Sequence, residues 1–369
     1  MLVHWKPSAF KNQESRIKNQ ESNIAKPSWQ LSGLAWLRHR IRAAFHPNQF
    51  HGWGKRRNYF EGWYCKLVVP EQNLAYAFIP GISLEANGDG HAFIQVLDGF
   101  RNKVDYHRFG LEEFQPAKDR FALQLGKNFF SEDELRIDLP GIQAAITYLH
   151  PYRWPKQPLA AGVMGWYGFV PGMECYHGMV SAHHHLQGYL TDDRGQLNVE
   201  GGIGYLEKDW GSSFPAAWVW LQSNHLDLDG PASLMASVAR IPWRGRHFRG
   251  FLCTWLWKGE LQVFTTWNRS KHQVHFGDGY VDLYFRRFNR LLGLSGKKAA
   301  HELHIRAYPA AGGNLISPTP VGMVGKINES LQASLEVRYL VDGQVKYDGT
   351  ANWAGLEVSE QAAEMLQGD

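Results

Sequence analysis

The sequence predicts an all-β protein: two antiparallel β-barrel or sandwich domains preceded by one short helix. Three observations predict this. Short alternating segments recur from Asn58 onward, punctuated by turn signals such as Pro70-Glu71-Gln72-Asn73, Asn87-Gly88-Asp89-Gly90 and Asp342-Gly343. Long amphipathic helical patterns are not evident among them. The chain has 369 residues, 44 % hydrophobic and 20 % charged, which is enough to bury two cores.

Residues 1–31 read as a disordered tail. Lys11-Asn12-Gln13-Glu14-Ser15 recurs as Lys18-Asn19-Gln20-Glu21-Ser22, but without the apolar positions a coiled coil needs. Residues 32–48 form a short amphipathic segment. Ser32 can cap a helix, Leu34, Leu37, Ile41 and Phe45 fall at helical spacing, and Pro47 lies beyond its end. Arg38, His39, Arg40 and Arg42 decorate the rest, so two readings stand: a helix packed on the next domain, or an interfacial anchor at a membrane surface.

The strand series begins with Tyr59–Val69 and Leu74–Pro80. It continues through His91–Leu97, Lys103–Phe109, Phe121–Leu125, Leu135–Leu139 and Ile142–Leu149. Tyr176–Leu190 is a long strand, Asp192–Gln196 a turn, and Leu197–Tyr205 its return. After Pro215 come Trp218–Leu226, Ser233–Ile241, Phe251–Trp257, Leu261–Trp267, Tyr280–Phe285 and His301–Tyr308. Leu331–Val341 and Val345–Trp353 follow, with a terminal helix at Glu360–Leu366. The expected domains are residues 50–210 and 211–369, meeting at the glycine-rich stretch that leads into a turn carrying Glu207 and Asp209.

Composition narrows the function. A net charge of +4 and a pI near 8.8 are too mildly basic to argue for nucleic acid, and no zinc-finger spacing occurs. Three scattered cysteines, Cys65, Cys175 and Cys253, fit reduced thiols in a cytoplasmic protein. No apolar run is long enough to span a bilayer, and the polar N-terminus does not suggest a secretory signal. Membrane contact is therefore expected at the surface only. The basic cluster Arg286, Arg287, Arg290, Lys297 and Lys298 reads as a solvated edge that an anionic surface could use.

The candidate chemistry gathers around residues 201–224. Alternation places Tyr205, Glu207 and Asp209 on one side of their segment. It places Trp218, Trp220, Gln222 and Asn224 on one face of the next strand, a composition suited to the wall of a ligand cavity. The apolar face of Tyr176–Leu190 carries one exception, His184. Matching apolar faces then predicts that His184, Tyr205 and Glu207 point into one interior. Such groups are costly to bury unless hydrogen-bonded, and burial raises a carboxyl pKa, so they form either a proton-transfer site or a satisfied polar cluster. Glu61 shares a strand face with Trp63, Cys65, Leu67 and Val69, with Arg57 as a candidate ion-pair partner. His183 and His185 share a face but lack a third ligand at zinc spacing, so no metal is expected. No Gly-x-Ser-x-Gly elbow or nucleotide loop is present.

Three segments resemble the tocopherol cyclase family. They are Arg57-Asn58-Tyr59-Phe60-Glu61-Gly62-Trp63-Tyr64-Cys65-Lys66, Tyr205-Leu206-Glu207-Lys208-Asp209-Trp210-Gly211-Ser212-Ser213-Phe214-Pro215, and Trp218-Val219-Trp220-Leu221-Gln222-Ser223-Asn224. The resemblance covers roughly residues 50–358 and implies a pair of lipocalin-like β-barrels. It implies a cofactor-free enzyme that closes the chromanol ring of vitamin E from a prenylated quinol, and kinship with carotenoid hydratases. The tyrosine and acid of the hydratases' Tyr-x-Asp-x-Asn-Trp-Gly run fall on Tyr205 and Glu207, with Glu replacing Asp.

The implied chemistry protonates a trisubstituted alkene and lets the phenol oxygen capture the resulting cation. Glu207 is the expected acid, His184 or Tyr205 its partner, and Asp209 a supporting carboxylate. Glu61, Trp63, Trp210, Trp218, Trp220, Gln222 and Asn224 are the expected substrate wall, with the indole faces of Trp218 and Trp220 stabilising the cation. The expected ligand is a prenylated quinol or another isoprenoid lipid. Three alternatives stay open: a hydratase in which water captures the cation, a non-catalytic carrier of an apolar ligand, and a sugar-binding module.

Overall fold

The computed structural model describes residues 33–155, 160–243, 246–288 and 300–368. The expected tail, and Arg290, Lys297 and Lys298 of the basic cluster, lie outside these residues. A helix α1 (Gly33–Ala44) precedes the strands.

The first sheet contains β1 (Tyr59–Val69), β2 (Leu74–Leu84), β3 (Gly90–Asp98), β4 (Lys103–Phe109), β5 (Phe114–Pro116), β6 (Ala122–Leu125), β7 (Asn128–Ser131), β8 (Glu134–Leu139), β9 (Ile142–Arg153), β10 (Cys175–Asp192), β11 (Gly195–Asn198) and β12 (Ile203–Gly211). The second contains β13 (Trp218–Ser223), β14 (His225–Leu226), β15 (Ser233–Trp243), β16 (Arg246–Trp257), β17 (Glu260–Thr265), β18 (Lys271–Gly277), β19 (Tyr280–Phe288), β20 (Ala300–Tyr308), β21 (Gly313–Thr319), β22 (Gly322–Val341) and β23 (Gln344–Val358). A short helix α2 (Ala362–Leu366) follows.

Both sheets are antiparallel and share one strand plan. The first strand of each pairs with its last long strand, β1 with β12 and β13 with β23. The free ends of each path are strands consecutive in the chain, β4 and β5 in one sheet and β17 and β18 in the other. The result is a nearly closed lipocalin-like barrel beside a second curled sheet.

The cores follow from side-chain alternation. In β8, Leu135, Ile137 and Leu139 are buried and the residues between them are not. In β20, Leu303, Ile305 and Ala307 repeat the pattern. In β1 the alternation vanishes and nearly every residue is buried. Trp63, Cys65, Leu67 and Val69 enter the first barrel, whereas Tyr64 and Val68 enter a third core lying between the sheets. A strand covered on both faces loses its polar side. β1 and β12 are such strands, and they carry the site.

Two expectations are corrected. Leu197–Tyr205 is not one strand: β11 ends at Asn198 and a turn closed by Gly202 N–H donating to Val199 O (3.1 Å) precedes β12. Gly201 adopts φ 87° there, a conformation that favours glycine. The turn shifts the alternation by one residue. Leu197 and Val199 pack with the first core, but beyond the turn it is Leu206 and Trp210 that do so. Glu207 and Asp209 consequently lie on β12 itself, not on a turn. Strands β5, β7, β18 and β21 fall outside the sequence-predicted set.

The same shift separates His184 from Tyr205 and Glu207. His184 lies in the first barrel against Tyr148 (ring centroids 4.1 Å) and opposite Gly204 in the ladder. Its Nδ1 shares a 2.9 Å hydrogen bond with Ser181 Oγ. Its ring occupies the space that a Cβ on Gly204 would need. Gly204→Ala should therefore destabilise the protein by about 1–3 kcal/mol through overpacking, and the loss should shrink in a His184→Ala background. Denaturant unfolding of the four proteins of this double-mutant cycle checks the coupling.

Candidate active site

A cavity of about 190 Å³ opens between the sheets. Its lining is largely apolar and aromatic, with Phe60, Ile79, Phe93, Phe214, Phe251 and Ile327 among its walls. Into this lining project four carboxyl groups: Glu207 and Asp209 from β12, Glu329 from β22 and Glu357 from β23.

The β12 group is built by alternation and by one cross-strand partner. Tyr205 O–H donates to Glu207 Oε2 at 2.6 Å. His177 on β10 lies opposite Asp209 in the ladder, ahead of the first bulge in that strand. Its Nδ1 is 2.9 Å from Asp209 Oδ1 and its Nε2 is 3.3 Å from Glu207 Oε2. The imidazole thus sits between two carboxylates. Burial opposes its charge, but Glu207 and Asp209 overcome this and raise its pKa to about 9. Burial pushes the Glu207 carboxyl up to about 7, against the pull of His177. Burial, then the neighbouring Glu207 charge, raises the Tyr205 phenol well above its ordinary range, so it stays a donor.

His177, Glu207 and Asp209 are also the one grouping among the described residues whose donor atoms are close enough to hold a metal ion, all within 4.8 Å. An imidazole can offer a metal only one nitrogen. Here it turns one nitrogen toward each carboxylate.

The second sheet supplies the opposite wall. Tyr64 O–H donates to Glu329 Oε1, and Trp218 Nε1–H donates to Glu357 Oε2 at 2.7 Å. Trp220 packs edge-on against Tyr64 (centroids 5.3 Å). Gly355 makes room for Trp220, because a Cβ there would stand 2.8 Å from its ring.

The sequence-predicted site residues divide into groups. Tyr205, Glu207, Asp209, Trp218 and Trp220 meet around this cavity. Gln222 accepts from Lys66 Nζ (3.0 Å) and Asn224 Nδ2 donates to Gly204 O (2.8 Å), so both tie the sheets together beside it. His184, Glu61 and Trp63 lie in the first barrel instead. Trp63 stacks on Phe121 (4.8 Å). Glu61 pairs with Lys208, not Arg57, and accepts from Tyr59 O–H and from the backbone N–H groups of His51 and Gly52. Trp210 stacks between His51 (4.2 Å) and Tyr176 (5.5 Å). It lines a second cavity of about 420 Å³, which shares Met164, Met173, Tyr176 and His177 with the first.

Sequence reasoning missed His177, Tyr64, Glu329 and Glu357. His177 was visible as an odd-position residue of its strand. Its role depended on the β12 parity that the Val199–Gly202 turn resets. Glu329 and Glu357 stand far along the chain from Glu207 and carry no local signal.

Fold and site together define a class: two apposed lipocalin-like sheets with carboxyl, phenol and imidazole groups gathered at their junction. The sequence profile of tocopherol cyclase-like proteins matches residues 141–360, and the chain belongs to that family. It is 22 % identical over 375 residues to the chloroplastic tocopherol cyclase of Zea mays, covering 84 % of this chain and 76 % of that one. It is 23 % identical over 386 residues to a chain of Oryza sativa subsp. japonica named "Probable tocopherol cyclase, chloroplastic", covering 86 % and 79 %. Among solved structures, kievitone hydratase from Nectria haematococca aligns with a TM-score of 0.42 at 12 % identity, covering 83 % of this chain and 90 % of that one. No described helix is long and apolar enough to cross a membrane.

The raised Glu207 pKa has a consequence for stability. Between its ordinary value of 4.5 and about 7 the folded protein keeps a proton that the unfolded chain has released. Stability contributed by this group therefore falls as pH rises through that window. Glu207→Gln removes the titration. Its stability relative to the parent should rise from pH 4.5 to 7 by roughly 3 kcal/mol, read by chemical denaturation at both pH values.

Proposed function

We propose that the chain is an isomerase-type cyclase that closes a prenylated quinol to a chromanol. The observation that carries the reading is Glu207: a buried carboxyl, oriented by the Tyr205 hydroxyl, facing an apolar cavity walled by Trp218 and Trp220. Membership of the tocopherol cyclase-like family supports the reaction class.

A carboxyl whose pKa is raised toward neutrality is available as a general acid at physiological pH. Protonated Glu207 gives its proton to the tail alkene, whose π pair forms the new C–H bond. The tertiary cation is held against the indole faces and away from water. The phenol oxygen of the same molecule captures it, with folding of the tail in the cavity supplying proximity. The imidazolium of His177 steadies the Glu207 carboxylate that proton transfer leaves behind.

The second cavity offers a lipid a route inward. Its walls include Ala43, Ala44 and Phe169, and Phe169 packs on Phe45 (5.0 Å). Ile41 and Phe45 of this region are more than half exposed, and Trp166 nearly so. Together with exposed Arg38 and Arg42 they make an apolar and basic rim suited to peripheral contact with an anionic lipid surface.

Incubation of the purified protein with prenylated quinols, followed by mass spectrometry of the lipid extract, tests the reading. The expected product has unchanged mass and shifted retention, and Glu207→Gln should lower turnover by roughly 10²–10⁴-fold while ligand binding persists. Gain of one water would identify a hydratase, and recovery of unaltered bound lipid a carrier.

A further inference from the structure

Ring closure as read above moves two protons. One goes to the alkene carbon and one leaves the phenol oxygen. Glu207 accounts for the first. The opposite wall holds a pair of carboxyls with no part in that step.

Glu329 and Glu357 are directly opposed in the β22–β23 ladder, so their side chains leave the same face of the sheet. Both line the cavity between the sheets. Glu329 is 1 % exposed, and Glu357 keeps part of its surface open to the cavity. Each carries one donor aimed at it from outside the pair: Tyr64 O–H at Glu329 and Trp218 Nε1–H at Glu357. Lys66 favours the charged form of Glu329, but ranks behind burial and the Glu357 charge, and its Nζ is bonded to Gln222 O (3.2 Å), Gln222 Oε1 (3.0 Å) and Trp353 O (2.6 Å) and to neither carboxyl. The other charged groups facing the pair are Glu207 and Asp209, both acidic. Two adjacent carboxyls with no cation bonded to either one resist ionising together, and such a pair keeps one proton between them.

We infer that Glu329 and Glu357 form a carboxyl dyad that shares one proton and takes up the phenolic hydrogen of the quinol during ring closure. The inference rests on the cyclase reading. Burial and mutual repulsion agree with it. Burial raises Glu357 to about 7, and burial together with the Glu357 charge raises Glu329 well above the ordinary carboxyl range. The ionised member is therefore a stronger base than a carboxylate in water.

The balance closes without a co-reactant. The Glu207 O–H bond breaks as the alkene gains its proton. The phenol oxygen lone pair forms the C–O bond, its O–H bond breaks, and the proton passes to the dyad carboxylate. The dyad then holds one proton more and Glu207 one fewer. Return of that proton restores the site, and the product is an isomer of the substrate.

The test uses the full chain, a prenylated hydroquinone and its methyl ether at the hydroxyl beside the prenyl chain. Quenching of tryptophan fluorescence reads binding, because Trp218 and Trp220 line the cavity. The parent should bind the quinol about 10-fold more tightly than the ether, the value of a hydrogen bond to a charged group. Glu329→Gln/Glu357→Gln, which keeps an acceptor for Tyr64 and Trp218, should lose this preference, with turnover lowered by roughly 10²-fold or more. Each single variant and thermal melts report whether the fold is kept. A double variant that retains either the preference or the turnover overturns the dyad. If the parent binds the quinol without cyclising it, the cyclase reading falls and the preference alone decides the dyad. If the parent binds neither compound, both fall.

Discussion

A carboxylate taken out of water loses several kcal/mol of solvation unless something replaces it, and this fold meets the demand in two ways. Inside the first barrel, Glu61 is matched by the Lys208 ammonium and by hydrogen bonds from Tyr59, His51 and Gly52. Lys208 pulls its carboxyl below the ordinary range although burial pushes it up. Between the sheets, Glu329 and Glu357 receive the neutral donors Tyr64 and Trp218, Glu207 faces Tyr205 and His177, and burial holds all three pKa values up. Full compensation makes a structural ion pair, and partial compensation leaves groups able to exchange protons.

One strand serves both outcomes. Along β12 the even residues Leu206, Lys208 and Trp210 face the first barrel, and of the odd residues Glu207 and Asp209 face the cavity while Tyr205 is buried between the sheets behind Glu207. Lys208 lies near the rings of Trp63 and Trp210 (5.0 and 4.6 Å) as well as near Glu61. The family-like run around Glu207 thus combines an anchoring face and a chemical face at alternating positions. Substitutions one residue apart in it should act on different properties, stability for one and turnover for the other.

Much of the fold was legible because its signals are local. β1 and β4 carry the limits that alternation and turn residues set, and the Asp342-Gly343 turn joins β22 to β23 as read. Tyr205, Glu207, Asp209, Trp218 and Trp220 were legible for the same reason, since residues two apart share a face. His184 was misplaced because the Val199–Gly202 turn shifts the parity between β11 and β12, and a parity count cannot see a turn's φ angles. Lys208 was not recognised as the partner of Glu61 because pairing across β1 and β12 joins segments nearly 150 residues apart in sequence. Glu329 and Glu357 needed the ladder register between β22 and β23, and then the docking of that sheet on the other.

Lys66 makes that docking specific. Its side chain leaves β1 of the first sheet and ends on Gln222 of β13 and on the Trp353 carbonyl of β23. Greasy surfaces can slide over one another at little cost, but a buried lysine nitrogen, its pKa drawn down to about 7 by burial, cannot leave three oxygen acceptors without finding others. The lysine therefore works as a gauge block: it fixes the offset between the sheets, and with it the gap across which Glu207 confronts Glu329 and Glu357. The spacing of the opposed acids is machined into the folded chain before a ligand arrives.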